Sequence, residues 1–429
     1  MHILFLTQII PYPPDAGPKV KTWHVLRYLA GQGYRLTLAS FVRPEEEEFV
    51  PVLRELCQAV HTVPIKRSGL ANLGYWLRSQ FSRRPFLIER DDLAAMHAVV
   101  KRIVEHEQVD VIHADQLGMT TYGLPYSKPG RLAKDSRGSP PPVLIFDAHN
   151  AVWTIVKRMQ ENTPWYLKPI VGLEARRVKR YEGKVVREFD YTLAVTEPDR
   201  LALQEAVKSS ANGAVSPEPH YCVVPIAVDT QQLQPVSRQP GSLNIMTMGT
   251  LHYPPNADGV RWFAKEVFPL VRQRVPQATL TIVGKNPPAD FLQLQEQFPG
   301  EITVTGYVPD LTPFMEKAAI MVVAVRAGGG MRVRILEAFA RGLPVVTTTV
   351  GLEGIEARPG EEVLVADSPA DFADSVTRLL KDEALQAKLA INGRHLAERR
   401  YDWQVILGKM EEIYQGVASR NAEMGGSNG

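Results

Sequence analysis

Short apolar runs recur along the chain and alternate with stretches of helical period. In the first half the runs are Ile3–Thr7, Arg35–Phe41, Val60–Ile65, Val109–His113, Val143–Ala148 and Tyr191–Val195. Most are nearly continuous in apolar side chains rather than strictly alternating, the pattern of parallel strands covered on both faces. Helical stretches such as Val20–Ala30 and Leu93–Glu107 lie between them. The second half repeats the theme with Asn244–Met248, Thr279–Val283, Ile302–Thr305, Ile320–Val325 and Pro344–Thr348. Alternation of this kind predicts an α/β protein with parallel, doubly wound sheets.

At 429 residues the chain is too long for one compact α/β unit and suits two. A polar stretch with Pro and Gln from Asp229 to Gly241 reads as the linker, so the first domain is expected over 1–228 and the second over 242–395. Residues 419–429 read as a disordered tail. Lys128–Pro142, rich in Lys, Arg, Ser, Gly and Pro, reads as a mobile surface loop. Val152–Glu188 is helical and basic, with breaks expected near Pro164 and Pro169. Its cluster Arg176, Arg177, Lys179 and Arg180 is either a solvated helix face, the ordinary fate of such charges, or a patch that meets anionic lipid headgroups.

Charge narrows the partners. With 49 Lys+Arg against 47 Asp+Glu, no global field marks a nucleic-acid binder. Cys57 and Cys222 form no metal-ligand spacing and no disulfide framework, which suits a reducing compartment and core positions. The apolar start Met1–Leu6 is short, lacks a basic leader and soon meets Pro11 and Pro13, so no signal peptide is expected. No apolar run approaches a membrane span. A cytoplasmic protein is expected, either free or at the inner face of the cell membrane.

Ligands of open α/β sheets bind beyond the carboxyl ends of the strands. The richest such turn here is Arg326-Ala327-Gly328-Gly329-Gly330-Met331-Arg332-Val333-Arg334, leading into Glu337. Three glycines after a strand and before a helix let backbone approach a ligand, and the first helix amides form a phosphate site. Arg332 and Arg334 add cationic contacts, and Glu337, in the second helical turn, reaches ribose hydroxyls. A plain glycine-rich turn with solvated arginines reads equally well from this segment alone.

The segment continues into Gly342-Leu343-Pro344-Val345-Val346 and Gly351-Leu352-Glu353-Gly354. From here the chain resembles the retaining glycosyltransferases of GT-B architecture, family four (group 1). Other landmarks follow in family order: Met248-Gly249-Thr250-Leu251, Ile282-Val283-Gly284, Thr305-Gly306-Tyr307-Val308-Pro309-Asp310, Val224-Pro225-Ile226-Ala227-Val228-Asp229, Val195-Thr196-Glu197 and Pro11-Tyr12-Pro13-Pro14-Asp15-Ala16-Gly17-Pro18. The Pro-Tyr-Pro-Pro-Asp start, Asp147-Ala148-His149-Asn150 and the Gly-Gly-Gly-x-Arg loop are most similar to bacterial enzymes of exopolysaccharide gene clusters.

The resemblance implies two Rossmann-like domains facing a cleft, an acceptor-side first domain, and helices over 396–418 that return to it. It implies a nucleotide-sugar donor, a glycan or lipid-linked acceptor, and no metal or other cofactor. It carries donor contacts onto Gly17, Gly249, Thr250, Gly284, Lys285, Tyr307, Val308, Gly329, Gly330, Met331, Arg332, Val333, Arg334 and Glu337. His149, at a strand's carboxyl edge, is the expected catalytic residue, touching a donor-sugar hydroxyl or its developing charge. Asp147, two residues earlier, is expected to face away from it, and His113 and Asp115 close the preceding strand in a similar way.

Departures from the family pattern matter. Gly329 stands where relatives carry the first of two glutamates, which contacts the donor sugar. Thr250, Leu251, His252 and then Asn256 replace an Arg and a Lys that neutralise the pyrophosphate, a charge expected to pass to Arg332 or Arg334. Pro18 replaces a glycine and removes a backbone donor. A dinucleotide oxidoreductase is disfavoured because Gln8–Pro13 lacks Gly-x-Gly-x-x-Gly. A nucleotide-sugar epimerase and a catalytically idle partner subunit stay open.

Overall fold

The computed structural model describes residues 1–15, 17–127, 141–161, 163–210 and 219–426. The expected loop over 128–142 lies almost wholly outside the described residues. The chain divides into two compact units, Met1–Pro225 with Ile406–Gly429, and Ile226–Val405.

The first unit is built on a seven-stranded sheet of order β3-β2-β1-β4-β5-β6-β7. Its strands are β1 His2–Thr7, β2 Arg35–Val42, β3 Ala59–Pro64, β4 Val111–Asp115, β5 Val143–Ala148, β6 Tyr191–Ala194 and β7 His220–Val223. The second unit holds a six-stranded sheet of order β10-β9-β8-β11-β12-β13. These strands are β8 Asn244–Met248, β9 Thr279–Val283, β10 Ile302–Gly306, β11 Ala318–Val323, β12 Val345–Thr347 and β13 Leu364–Val365. Every pairing is parallel. In both sheets the chain builds outward one way and then reverses, so each has a switch point, between β1 and β4 and between β8 and β11.

The apolar runs explain the layers. β1, β5 and β11 are buried at every position, because helices cover both faces of a parallel sheet. Leu4, Phe41, Ile112, Phe146 and Val185 share one core, and Ile245, Phe263, Ile320, Val346 and Phe372 share the other. Strands β7 and β13 carry no sequence signal: the first is a half-exposed edge and the second has two residues.

Several expectations change. Residues 229–241 are tied into the second unit by bonds such as Val236 N–H to Arg341 O (3.0 Å), Gln239 N–H to Glu316 O (2.8 Å) and Arg238 to Gln386 (2.9 Å). Of the helices expected to return to the first domain, Ala397–Tyr401 stays with the second unit and residues from Ile406 belong to the first. The last helix, Trp403–Gly426, runs through most of the expected tail. The break expected near Pro164 and Pro169 falls between the Val152–Glu161 and Lys168–Glu188 helices, with Pro169 in the first turn of the second, where a missing N–H costs nothing. Among the described residues no helix is long and apolar enough to cross a membrane.

One close approach ties the second sheet to its helical layer. A Cβ on Gly259, in the Pro254–Trp262 helix, would lie 1.9 Å from the carbonyl oxygen of Ala324, just past β11. Gly259→Ala is therefore expected to destabilise the fold by about 1–3 kcal/mol, the usual cost of overpacking; urea unfolding measures it.

Candidate functional site

In the first unit the switch point gathers ionisable groups from three elements. β4 and β5 run in register with Asp115 opposite Asp147, so two buried carboxylates sit side by side about 5 Å apart in backbone spacing. Each has its own cation or donor. Lys21, from the Gly17–Gly31 helix and only 2% exposed, pairs with Asp147 Oδ1. His149 Nε2 lies 2.6 Å from Asp115 Oδ1. Thr7 and Thr22 place their hydroxyls 2.9 Å from Asp115 Oδ2. Desolvation pushes Asp147 upward, but the Lys21 ammonium, with His113 and His149, holds it well below the usual carboxylate range.

A second line of groups lies behind. Tyr414 Oη is 2.7 Å from His113 Nδ1, and His113 Nε2 is 3.4 Å from Asp147 Oδ2. Burial raises the Tyr414 phenol well above its ordinary range, so it stays protonated in this contact. Gln116, directly after Asp115, holds φ 74° and ψ 157°, a strained conformation worth about 1–3 kcal/mol that clusters at functional edges.

His149 is 7% exposed, and its Nδ1 is buried without a hydrogen-bond partner among the described residues. With Nε2 held by the Asp115 carboxylate, Nδ1 is the ring nitrogen left open, and it can accept when the imidazole is neutral. Asp147 does not face away from it, as expected from the sequence. Strand alternation returns residues i and i+2 to one side, and ligand atoms of Asp115, Asp147 and His149 all lie within 4.8 Å of one another. The bonded partner is nevertheless Asp115. Lys21 already supplies a cation to this cluster, and both Asp115 oxygens have protein donors, so the arrangement is suited to proton handling. Gly17 opens the first helix beside it, with Pro18 second; at that position the lost N–H would have had no helical partner anyway.

In the second unit the carboxyl ends of β8, β9, β10 and β11 carry most of the predicted donor residues. Gly249 and Gly284 are glycines for a packing reason: a Cβ on Gly284 would lie 1.9 Å from Gly249 O, and one on Gly249 would lie 2.4 Å from Arg334 Nη1. Arg334 is pinned by Met248 O (3.2 Å) and Asn256 Oδ1 (2.9 Å), while Asn256 Nδ2 donates to Thr250 O (3.1 Å). Asn256 thus holds the Gly249-Thr250 turn against the arginine. Burial lowers the Arg334 guanidinium to about 10, helped by nearby Arg332; it remains charged at neutral pH.

Gly328 and Gly330 take φ of 104° and 86°, whereas Gly329 between them stays out of that left-handed region. Arg332 folds back on its own loop, with Nη1 2.7 Å from Gly329 O and 2.6 Å from Gly330 O. It caps the Val333–Ala340 helix without a side-chain bond, leaving the Val333 and Arg334 amides for a ligand at the positive helix end. Met331 is buried beneath the loop. Burial raises the Glu337 carboxyl, opposed by Arg341 and Arg334. Tyr307, 61% exposed, follows β10 with Lys285 Nζ 4.5 Å from its ring centre, and Val308 next to it is half-buried.

The sequence missed Lys21, Asp147's role, Tyr414 and Asn256. The signal for the first two was two acidic strand ends, His113-Ala114-Asp115 and Asp147-Ala148-His149, whose register demands a cation. Tyr414, roughly three hundred positions from His113 in chain order, had none.

Residues 242–382 match the family model described as Glycosyl transferases group 1. An uncharacterized 44.6 kDa protein of the cps region of Klebsiella pneumoniae is 24% identical over 39% of this chain and 45% of its own length. Phosphatidyl-myo-inositol mannosyltransferase of Mycobacterium leprae is 28% identical over 37% of this chain and 43% of its own. Each alignment thus spans less than half of the curated relative. Among solved structures, Anabaena HepE in complex with UDP superposes with TM-score 0.67 at 15% identity, covering 97% of this chain and all of that one. Sucrose-phosphate synthase of Thermosynechococcus elongatus gives 0.68 at 16%, covering 98% of this chain and all of that one.

Removing one member of the buried pair leaves an uncompensated charge. Lys21→Met is expected to lower stability by about 3–5 kcal/mol, and Lys21→Met with Asp147→Leu to regain most of it; chemical denaturation of both variants checks this.

Proposed function

We propose that this chain, a GT-B protein of the group 1 glycosyl transferases, transfers a sugar with retention of anomeric configuration from a nucleotide-sugar donor to a glycan or lipid-linked acceptor in exopolysaccharide assembly. The observation that carries the reading is the β8/β11 switch point, where an uncapped helix start, a charged Arg334 pinned on the Gly249 turn, and Glu337 converge. That set fits a nucleoside diphosphate. The Val333 and Arg334 amides take phosphate oxygens, Glu337 accepts from ribose hydroxyls, and the exposed Tyr307 ring offers a face for the base.

Chemistry of this class breaks the bond from the sugar's anomeric carbon to phosphate. Negative charge then grows on the departing diphosphate, and preorganised amides and guanidinium groups stabilise it without reorganising. The acceptor hydroxyl arrives on the same face and passes its proton to the departing oxygen. His149 is the catalytic residue of this reading: in the neutral imidazole its Nδ1 can accept from a hydroxyl, and Asp115 stabilises the ring as charge develops. Both arginines act by field and by shaping the loop, since their protein contacts are already made. Anabaena HepE was solved with UDP-glucose, which supports a UDP-sugar as the first donor to try.

Gly329 favours a second reading, an idle partner subunit, because the sugar-contacting carboxylate of relatives is missing there. Its backbone stays out of the left-handed region that demands glycine, so Gly329→Glu is expected to fold normally and to tighten sugar-donor binding while leaving UDP binding unchanged in calorimetry. Transfer by the purified chain alone would exclude the idle reading, and turnover of donor without acceptor would point to an epimerase.

Thermal shifts against UDP-, GDP- and ADP-sugars identify the base, since a ligand at a hundred times its Kd stabilises by about 2.7 kcal/mol. His149→Ala is expected to cut kcat by about 10²-fold with donor affinity nearly kept; undiminished turnover in a folded variant would sink the assigned role. Arg334→Ala is expected to weaken UDP-sugar binding at least tenfold, about 1.4 kcal/mol, in the same calorimetry.

A further inference from the structure

Three successive backbone amides follow His149 and Asn150 beyond β5, and carboxylates hold all of them. Ala151 N–H donates to Asp199 Oδ1 (2.9 Å), Val152 N–H to Glu182 Oε1 (2.7 Å) and Trp153 N–H to Glu182 Oε2 (2.9 Å). The acids come from two helices, Lys168–Glu188 and Glu197–Ser210, and both reach the start of the Val152–Glu161 helix. Further bonds brace the same turn. Thr196 Oγ1 donates to Asp199 Oδ2 (2.5 Å), Thr154 Oγ1 to Ala151 O (2.7 Å) and Trp153 Nε1 to Ala202 O (3.1 Å).

Helix capping accounts for only part of this. An ordinary cap satisfies an orphan amide from a residue beside the helix, whereas here acids from two distant helices converge. Glu182 is fully buried, and burial raises its carboxyl to about 8 against the pull of the two amides, with Asp199 adding to the rise. A carboxyl buried at that cost is a weak source of stability. Lys179, on the same helix, turns instead to Glu205 (2.6 Å) and to the Trp153 ring (4.4 Å). This helix start is also closed to an outside anion, because its amides are engaged. What the acids do fix is the chain just after the sheet. Ala148 is paired with Ala194 in the sheet and Ala151 is clamped, so only His149 and Asn150 lie between two anchored points. The ring of His149 is held separately by Asp115, 2.6 Å away.

We propose that Glu182 and Asp199 are positioning residues that fix the turn carrying the His149 imidazole. The consequence for catalysis rests on the reading of His149 given above; the placing of the ring does not.

Nitrogen NMR of the full chain labelled at histidine tests the placing, with the His149 signals assigned by their loss in His149→Ala. Glu182→Gln keeps the side-chain shape but turns an NH2 group toward an amide that donates, and Asp199→Asn does the same at half-buried Asp199. Both are expected to shift and broaden the His149 ring signals and to leave those of His252 and His395, in the second unit, in place. In transfer from UDP-glucose, kcat is expected to fall about tenfold in Glu182→Gln and about threefold in Asp199→Asn, with donor KM within about twofold of wild type, because a slightly misplaced group costs rate before binding. Glu205→Gln, which removes only an exposed ion pair with Lys179, should change neither readout. Should Glu182→Gln fail to fold, Asp199→Asn carries the test. Folded variants with wild-type His149 signals would overturn the proposal, and so would kcat and KM worsening together, the mark of a general loosening. Shifted His149 signals in a chain that transfers no glucose would uphold the clamp and remove the transfer reading instead.

Discussion

Two carboxylates that face each other across adjacent parallel strands repel, and burial removes the water that would screen them. Asp115 and Asp147 stand in that relation in the first unit. The surrounding architecture answers the conflict. The first helix brings Lys21 to Asp147, the end of β5 brings His149 to Asp115, and Thr7 and Thr22 fill the other Asp115 oxygen. The same constraint engages the histidine: with Nε2 committed to a carboxylate, Nδ1 is left without a hydrogen-bond partner among the described residues.

The second unit meets a different constraint, that of bringing two turns and a buried cation close together. Gly284 and Gly249 let two turns and Arg334 crowd together where any side chain would collide. The guanidinium replaces much of its lost water with Met248 O and Asn256 Oδ1, and it keeps its charge although burial lowers its pKa to about 10. A fixed cation next to an uncapped helix start is preorganised for negative charge. Asn256, which the family pattern presents as a loss of charge, is the clamp that holds the cation in place.

Family comparison and physical geometry read Gly329 differently. The pattern marks a missing glutamate, whereas the backbone shows that glycine is demanded at Gly328 and Gly330 and not between them.

The sequence by itself determined the architecture: near-continuous apolar runs such as Val143–Ala148 can be satisfied only by strands covered on both faces, and their alternation with helices makes the sheets parallel. It also located the glycine turns, which follow the carboxyl ends of strands. It was silent on β13, whose two residues carry no period, and it began the return of the C-terminal segment to the first domain too early: that return starts at Ile406, with the last helix placed by Tyr414 and Glu411 meeting His113, Tyr28 and Tyr34. Register was the deciding quantity that no linear pattern contains. Only the pairing of β4 with β5 made Asp115 and Asp147 neighbours, gave Lys21 its partner and left His149 Nδ1 open, because hydrogen bonds between strands, and not spacing along the chain, set which side chains must share a charge.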